Sequence, residues 1–226
     1  MKKQENPWIN LIVNVAVPMY IMTKLSAPEK LGPLNAVLVA TAFPLIYGFY
    51  DYIKNKHINK ISILGLLGVA LNGVFTIIQL NPFWFAVKEA AIPALIGIFV
   101  MGSVWTKSPL ISMLLNQGII DTELVNKKVE EYGAEQQYLT LQKNSTIGMA
   151  LSFFLSAVLN FGLARYIVKS QPGTEAFATE LGKMTGLSFV VIALPSMLIL
   201  GAALWYLMKG LEKITKLSID DIIQAK

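Results

Sequence analysis

Cysteine is absent from the 226 residues, which excludes disulfides, thiolate nucleophiles and thiolate metal sites. The single histidine, His57, has few acidic residues near it, so the sequence argues against a zinc site. Charge is also scarce, because charged residues make up 15% of the chain against roughly 25% in soluble proteins. A soluble domain of this length needs more charge to cover its surface, so we do not expect one.

The chain is instead rich in long apolar runs. Hydrophobic residues make up 54% of it, and the charged residues cluster in short stretches that leave long uncharged runs between them. This pattern predicts an all-α fold: a polytopic transmembrane helical bundle of about six spans, built as helical hairpins in one transmembrane domain, residues 1–226. The predicted spans are residues 8–25, 31–50, 61–80, 83–105, 146–168 and 184–208.

The first apolar run is shorter than the others. Between Trp8 and Lys24 it would extend about 22 Å at the helical rise, short of the roughly 30 Å hydrocarbon core. Two interpretations stay open, a short span carried further by its flanks or a re-entrant piece broken at Pro18. We take the segment as part of the mature protein, because no cleavage site of the Ala-x-Ala type follows it.

Two less hydrophobic segments are predicted to lie on the cytoplasmic side. Residues 107–145 read as an amphipathic segment, with a helix that starts near Asp121 and stops near Gly133. Residues 210–226 form the tail, where Ser218 and Asp221 have the spacing of a capping box at the start of a short helix.

The distribution of basic residues predicts the orientation. With six spans and a cytoplasmic N-terminus, most Lys and Arg residues face the cytoplasm, which places both termini inside a bacterial inner (plasma) membrane. We therefore interpret the net charge of +5 as lysines that set the membrane topology beside anionic lipid, and no nucleic-acid partner is expected. The cytoplasmic basic residues are Lys2, Lys3, Lys54, Lys56, Lys60, Lys107, Lys127, Lys128, Lys143, Lys209, Lys213, Lys216 and Lys226.

Polar residues within the apolar runs are the candidate site residues. Lys88 and Glu89 are the clearest, because an ionisable group in the hydrocarbon region costs roughly 2.5–3.5 kcal/mol on insertion scales. Neighbouring residues point about 100° apart on a helix, so each is expected to meet a partner from another helix rather than the other. Arg165, Glu180 and Lys183 are available on the same side.

Two readings of this pair stay open: a polar site for a lipid headgroup, an ion or a proton near the outer leaflet, or a structural ion-pair network. Asn72 and Asn160 are further candidates for lipid or substrate binding, with structural hydrogen bonding between helices as the other reading. They occupy matching places in a weak two-hairpin repeat, residues 69–105 and 157–205, although chance similarity of apolar helices explains the match nearly as well.

No nucleophile elbow, phosphate-binding loop or intramembrane carboxylate pair is present, so no enzymatic activity and no cofactor are predicted. Pro18, Pro44, Pro93 and Pro195 fall inside four apolar runs, and each frees a backbone carbonyl as in the discontinuous helices of carriers. Prolines are also common in ordinary membrane helices.

Several short motifs resemble the intracellular septation protein A family. They are VLVATA with IY at residues 37–47, the NP turn at 81–82, WTKSPLI at 105–111 and LN at 159–160, and the similarity covers roughly residues 31–118 and 146–209. The chain differs by its extra N-terminal run, its longer segment 119–145 and its longer loop before the sixth span. FWFAVKEAAIP at 83–93 and PGTEAF at 172–177 resemble a related, uncharacterised six-helix bacterial family even more closely.

The resemblance implies an inner-membrane protein of cell envelope maintenance or septation, and it implies no active site. Two functions are carried forward. The first is a non-enzymatic scaffold that binds envelope or division proteins through its cytoplasmic segments. The second is a small transporter or lipid-handling carrier that uses Lys88, Glu89 and Arg165. Membrane lipids are expected partners in both, and homo-oligomerisation is left open.

Overall fold

The computed structural model describes residues 12–55, 81–106, 109–115 and 120–223. The fold of these residues is all-α. The only β-type hydrogen bonding within these ranges is one isolated bridge between Ile120 and Ile223. In chain order the α-helices are α1 (Val17–Lys24), α2 (Pro33–Asn55), α3 (Pro82–Ser103), α4 (Ile111–Leu115), α5 (Thr122–Glu131), α6 (Glu135–Ile167), α7 (Glu175–Ser188), α8 (Leu194–Thr215) and α9 (Ile219–Ile222). Two π-helices, π1 (Ile12–Ala16) and π2 (Phe189–Ala193), lead directly into α1 and α8.

Three helical stretches in the described ranges are long and apolar enough to cross a membrane. They are α3 with 22 residues, α6 with 33, and the continuous run Glu175–Thr215 with 41, which contains α7, π2 and α8. At the helical rise even α3 measures about 33 Å, enough for a hydrocarbon core of roughly 30 Å. The predicted span at residues 61–80, and with it residues 69–80 of the first predicted repeat, lies outside the described residues.

Two helices continue further than the predicted spans. Residues 135–145 belong to α6 rather than to a separate amphipathic helix, and residues 175–183 are helical rather than part of the loop before the last span. Hydropathy marks where a helix leaves the membrane, but a helix ends only where its backbone is broken or capped. Here Gly133 (φ +60°) separates α5 from the start of α6, and the Thr174 hydroxyl caps the start of α7 by accepting a hydrogen bond from the Phe177 N–H at 3.1 Å.

The chain divides into two compact units. The first contains the described residues up to Ile92 together with Leu159–Ile192. In it α1 packs against α2 and α7, and fully buried alanines let the helix backbones approach closely. These alanines are Ala36, Ala40, Ala86, Ala164 and Ala178.

The second unit contains the described residues of Pro93–Val158 and Ala193–Lys226. Its core includes Leu141, Leu207 and Leu211 from the long helices, and Val125 with Val129 from one face of α5. Ile222 of α9 is fully buried in the same cluster, so the short helices α5 and α9 are packed onto the ends of α6 and α8.

Both predicted cap motifs in this unit are confirmed. The Asp121 side chain accepts a hydrogen bond from the Leu124 backbone N–H at 2.9 Å at the start of α5. At the start of α9 the Asp221 N–H donates to Ser218 Oγ, while Asp221 accepts from the Ser218 N–H and hydroxyl at 3.2 and 2.6 Å. These bonds satisfy N–H groups that a helix start otherwise leaves without a partner.

Acidification is expected to loosen α9. The hydrogen bonds from Ser218 lower the pKa of Asp221 below its ordinary value of 3.8. Since the folded-state pKa is the lower one, the stabilisation is present above pH 3.8 and is lost as the pH falls through the folded-state value. Amide exchange at residues 219–223, corrected for the intrinsic pH dependence, should accelerate over that range. Asp221→Asn should remove the response, and an unchanged response in that variant would contradict this assignment.

Candidate functional site

Lys88 and Glu89 form an ion pair in the second turn of α3. Lys88 Nζ lies 2.5 Å from Glu89 Oε1, and the two side chains are only 9% and 21% exposed. Lys88 Nζ also lies 4.5 Å from the centroid of the Phe85 ring, one turn earlier on the same helix. That ring contacts Phe177 of α7 edge to face at 5.8 Å, so an aromatic pair buried in the first unit supports the cation.

The prediction that these neighbouring residues would not pair with each other is wrong. The angular argument holds for their Cα–Cβ bonds, but the lysine carries its charge on a flexible four-carbon stem. This stem is long enough to bring the ammonium to the adjacent carboxylate. Because both groups are little exposed to solvent, the ion pair between them is stabilising. Helix geometry therefore decided the direction of the side chains and not the position of their charges.

Arg165 and Glu180, named as partners for the pair, make other contacts in the first unit. The Arg165 guanidinium lies 5.7 Å from the centroid of the Phe83 ring, which itself meets Phe161 edge to face at 6.1 Å. Glu180 accepts hydrogen bonds from the backbone N–H groups of Lys169 and Ser170 and from the Ser170 hydroxyl, each at 2.9 Å. Glu180 thus fastens the chain beyond α6 to α7.

Asn72 and Asn160 are the remaining candidates. Asn72 lies outside the described residues. Asn160 is half-buried on α6, in the part of that helix, from Leu159 onward, that belongs to the first unit. The structure thus brings Lys88 and Glu89 together, and places Arg165 on an aromatic ring of α3 five residues before Lys88.

Two π-helical segments were not predicted from the sequence. Both π1 and π2 are five residues long, and each ends two residues before a proline, Pro18 and Pro195. A proline ring excludes the carbonyl four residues earlier, and the wider turn of a π-helix accommodates that carbonyl. The two sequences are also similar, IVNVAVP at residues 12–18 and FVVIALP at 189–195, with Val, Ala and Pro at matching positions. The prolines were visible as interruptions, and this short internal match was the signal that could have linked them.

The surface of the long helices is apolar where a soluble protein would be polar. Leu95, Ile98 and Phe99 of α3 are 60–69% exposed, and Met197 and Leu198 of α8 are 62% and 74% exposed. Trp84 in the first turn of α3 and Trp105 just after its end are exposed as well, as in the aromatic belts at membrane interfaces. Side chains of this kind over helices of this length need lipid around them, and the chain is a helical membrane protein.

Comparisons with protein-family models, with curated proteins and with solved structures find no significant match. Within the described residues, no group of three or more His, Asp or Glu side chains is placed to hold a metal ion. What the protein does is therefore inferred from its own residues.

Proposed function

We propose that this chain is a non-enzymatic protein of a bacterial inner membrane that serves cell envelope maintenance or septation by holding partner proteins at its cytoplasmic side. It crosses the membrane about six times with both termini in the cytoplasm, in the manner of the septation protein A-like families whose motifs it resembles. The three long apolar helices and the cytoplasmic bias of its lysines support this arrangement.

The observation that carries the proposal is the folded layer of α5 and α9 in the second unit. The Asp121 N–H donates to the Ile222 carbonyl at 2.9 Å, and Val125 and Ile222 are 1% and 0% exposed. A membrane anchor alone has no need of such a layer, because the helices are already held by their apolar parts. The layer turns a polar face outward, formed by Glu123, Asn126, Lys127 and Glu130.

A charge swap on this face tests the scaffold. In Lys127→Glu/Glu130→Lys the net charge is unchanged and both sites are exposed, so folding and insertion should be preserved. We expect the variant to fail to restore normal cell length and envelope integrity in a deletion strain, and to lose site-specific photocrosslinks to partner proteins from position 126. Full complementation by the swap would contradict the proposal.

A second candidate, a small carrier for lipid or another solute, is favoured by the two π-helices that precede Pro18 and Pro195. The helices continue through these π-turns without a break, and π-turns within longer helices are frequent at functional sites. The ion pair Lys88–Glu89 would then be its polar site. Lys88→Leu/Glu89→Leu distinguishes the candidates: the scaffold keeps its function in this variant, whereas the carrier inserts normally and loses its activity.

A further inference from the structure

One face of α8 changes in character along its length. Five exposed residues lie along one side of this helix, because they are four or seven residues apart. They are Leu194, Leu198, Trp205, Lys209 and Lys213. Leu198 is 74% exposed and Trp205 62%. The face is thus apolar at its start, aromatic in its second half and basic at its end.

The apolar part of this face has room beside it. Gly201 lies between Leu198 and Trp205, and a Cβ atom built there would meet nothing within 4 Å. The next residue, Ala202, is also exposed and small. The face therefore carries only small side chains between Leu198 and Trp205, with open space beside Gly201.

The basic part is held in place by aromatic rings of the second unit. Lys209 Nζ lies 5.2 Å from the centroid of the Trp205 ring and pairs with Glu212 at 2.6 Å. Lys216, the residue that ends the helix, lies 4.6 Å from the centroid of the Tyr132 ring. Lys213 is exposed between them. Of the three lysines on this end of the face, only Lys209 has a carboxylate partner in an ion pair within the described residues.

The geometry points to a binding site for one anionic phospholipid, in the leaflet that the C-terminal end of α8 meets. Its acyl chains lie along Leu194, Leu198 and Gly201, its glycerol region lies at Trp205, and its phosphate lies among the lysines. From Leu194 to Lys209 the helix rises about 22 Å, and one leaflet with its headgroups is roughly 20–22 Å thick. An acidic protein segment would complement the charge of the lysines but would leave the exposed apolar residues Leu194 and Leu198 without an apolar partner.

Fluorescence quenching by brominated lipid tests this site. The chain has four tryptophans, so Trp8→Phe/Trp84→Phe/Trp105→Phe leaves Trp205 as the only reporter. In nanodiscs of phosphatidylglycerol and phosphatidylcholine mixed one to one, bromine on phosphatidylglycerol should quench Trp205 more strongly than bromine on phosphatidylcholine. Each basic residue near an anionic surface favours binding about fivefold, so Lys213→Gln/Lys216→Gln should lower the preference by roughly 25-fold.

The control pair is Lys127→Gln/Lys143→Gln, which removes the same charge from α5 and α6 of the second unit. It should leave the preference unchanged, and Lys213→Arg/Lys216→Arg should retain it. Equal quenching by both lipids, as expected if the face instead binds an acidic protein segment, would overturn the site. So would an equal loss in the control pair, which would indicate general attraction to the membrane. If the single-tryptophan chain fails to fold, native mass spectrometry of the unaltered protein with the two lipids measures the same preference.

Discussion

Glu89→Leu is expected to lower the free energy of unfolding by about 3 kcal/mol. Removing one member of a buried ion pair leaves the other charge without its counter-ion, which costs about 3–5 kcal/mol. We expect the low end of that range, because Lys88 keeps its contact with the Phe85 ring. Denaturation in mixed micelles with an increasing fraction of SDS measures the change.

The matched variant is Lys88→Leu/Glu89→Leu. Because it removes both charges together, its stability should return close to that of the unaltered protein, as in other buried pairs replaced by apolar residues. If the double variant were as unstable as Glu89→Leu, the loss of stability would not come from an unpaired Lys88 charge, which would contradict this explanation. A stable double variant that no longer supports envelope integrity would favour the carrier over the scaffold.

Gly182→Leu is expected to destabilise the packing of α1 against α7 by about 1–3 kcal/mol, the usual cost of an overpacked core. A Cβ atom at Gly182 would lie 2.8 Å from Thr23 Cγ2 and 3.2 Å from the Met19 carbonyl oxygen. The methyl group could turn aside, but the backbone oxygen could not without moving the helix. Van der Waals contact contributes much of the association of helices in lipid, so the loss should appear directly as a lower unfolding midpoint.

Gly162→Leu provides the control within the same unit. It also lies inside a helix, but a Cβ atom there would meet nothing within 4 Å. The substitution should be neutral or slightly stabilising, because leucine has the higher helix propensity. Gly186→Ala should also be milder than Gly182→Leu, since the new atom would meet only the flexible end of Met19. Equal effects of Gly182→Leu and Gly162→Leu would contradict this account of the interface.

The sequence alone determined the class of structure. Scarce charge and long apolar runs predicted an all-helical membrane protein, and the described residues are helical with three stretches long enough to cross a membrane. Composition suffices here because lipid requires every backbone polar group to be satisfied within the helix. The caps at Asp121 and Ser218 were predictable for a related reason, since each motif acts over three residues of chain.

Only the three-dimensional structure decided which contacts the side chains make. It showed that the flexible stem of Lys88 reaches its neighbour Glu89, and its packed helices place Glu180 on the chain beyond α6 and bury Ile222 under α5. It also extended α6 and α7 beyond their predicted spans and revealed the π-helices before Pro18 and Pro195. Periodicity and hydropathy report the average environment along a helix. The contacts of Glu180 and Ile222 depend instead on which distant parts of the chain the packed helices bring within a few ångströms, and the Lys88–Glu89 pair depends on side-chain flexibility.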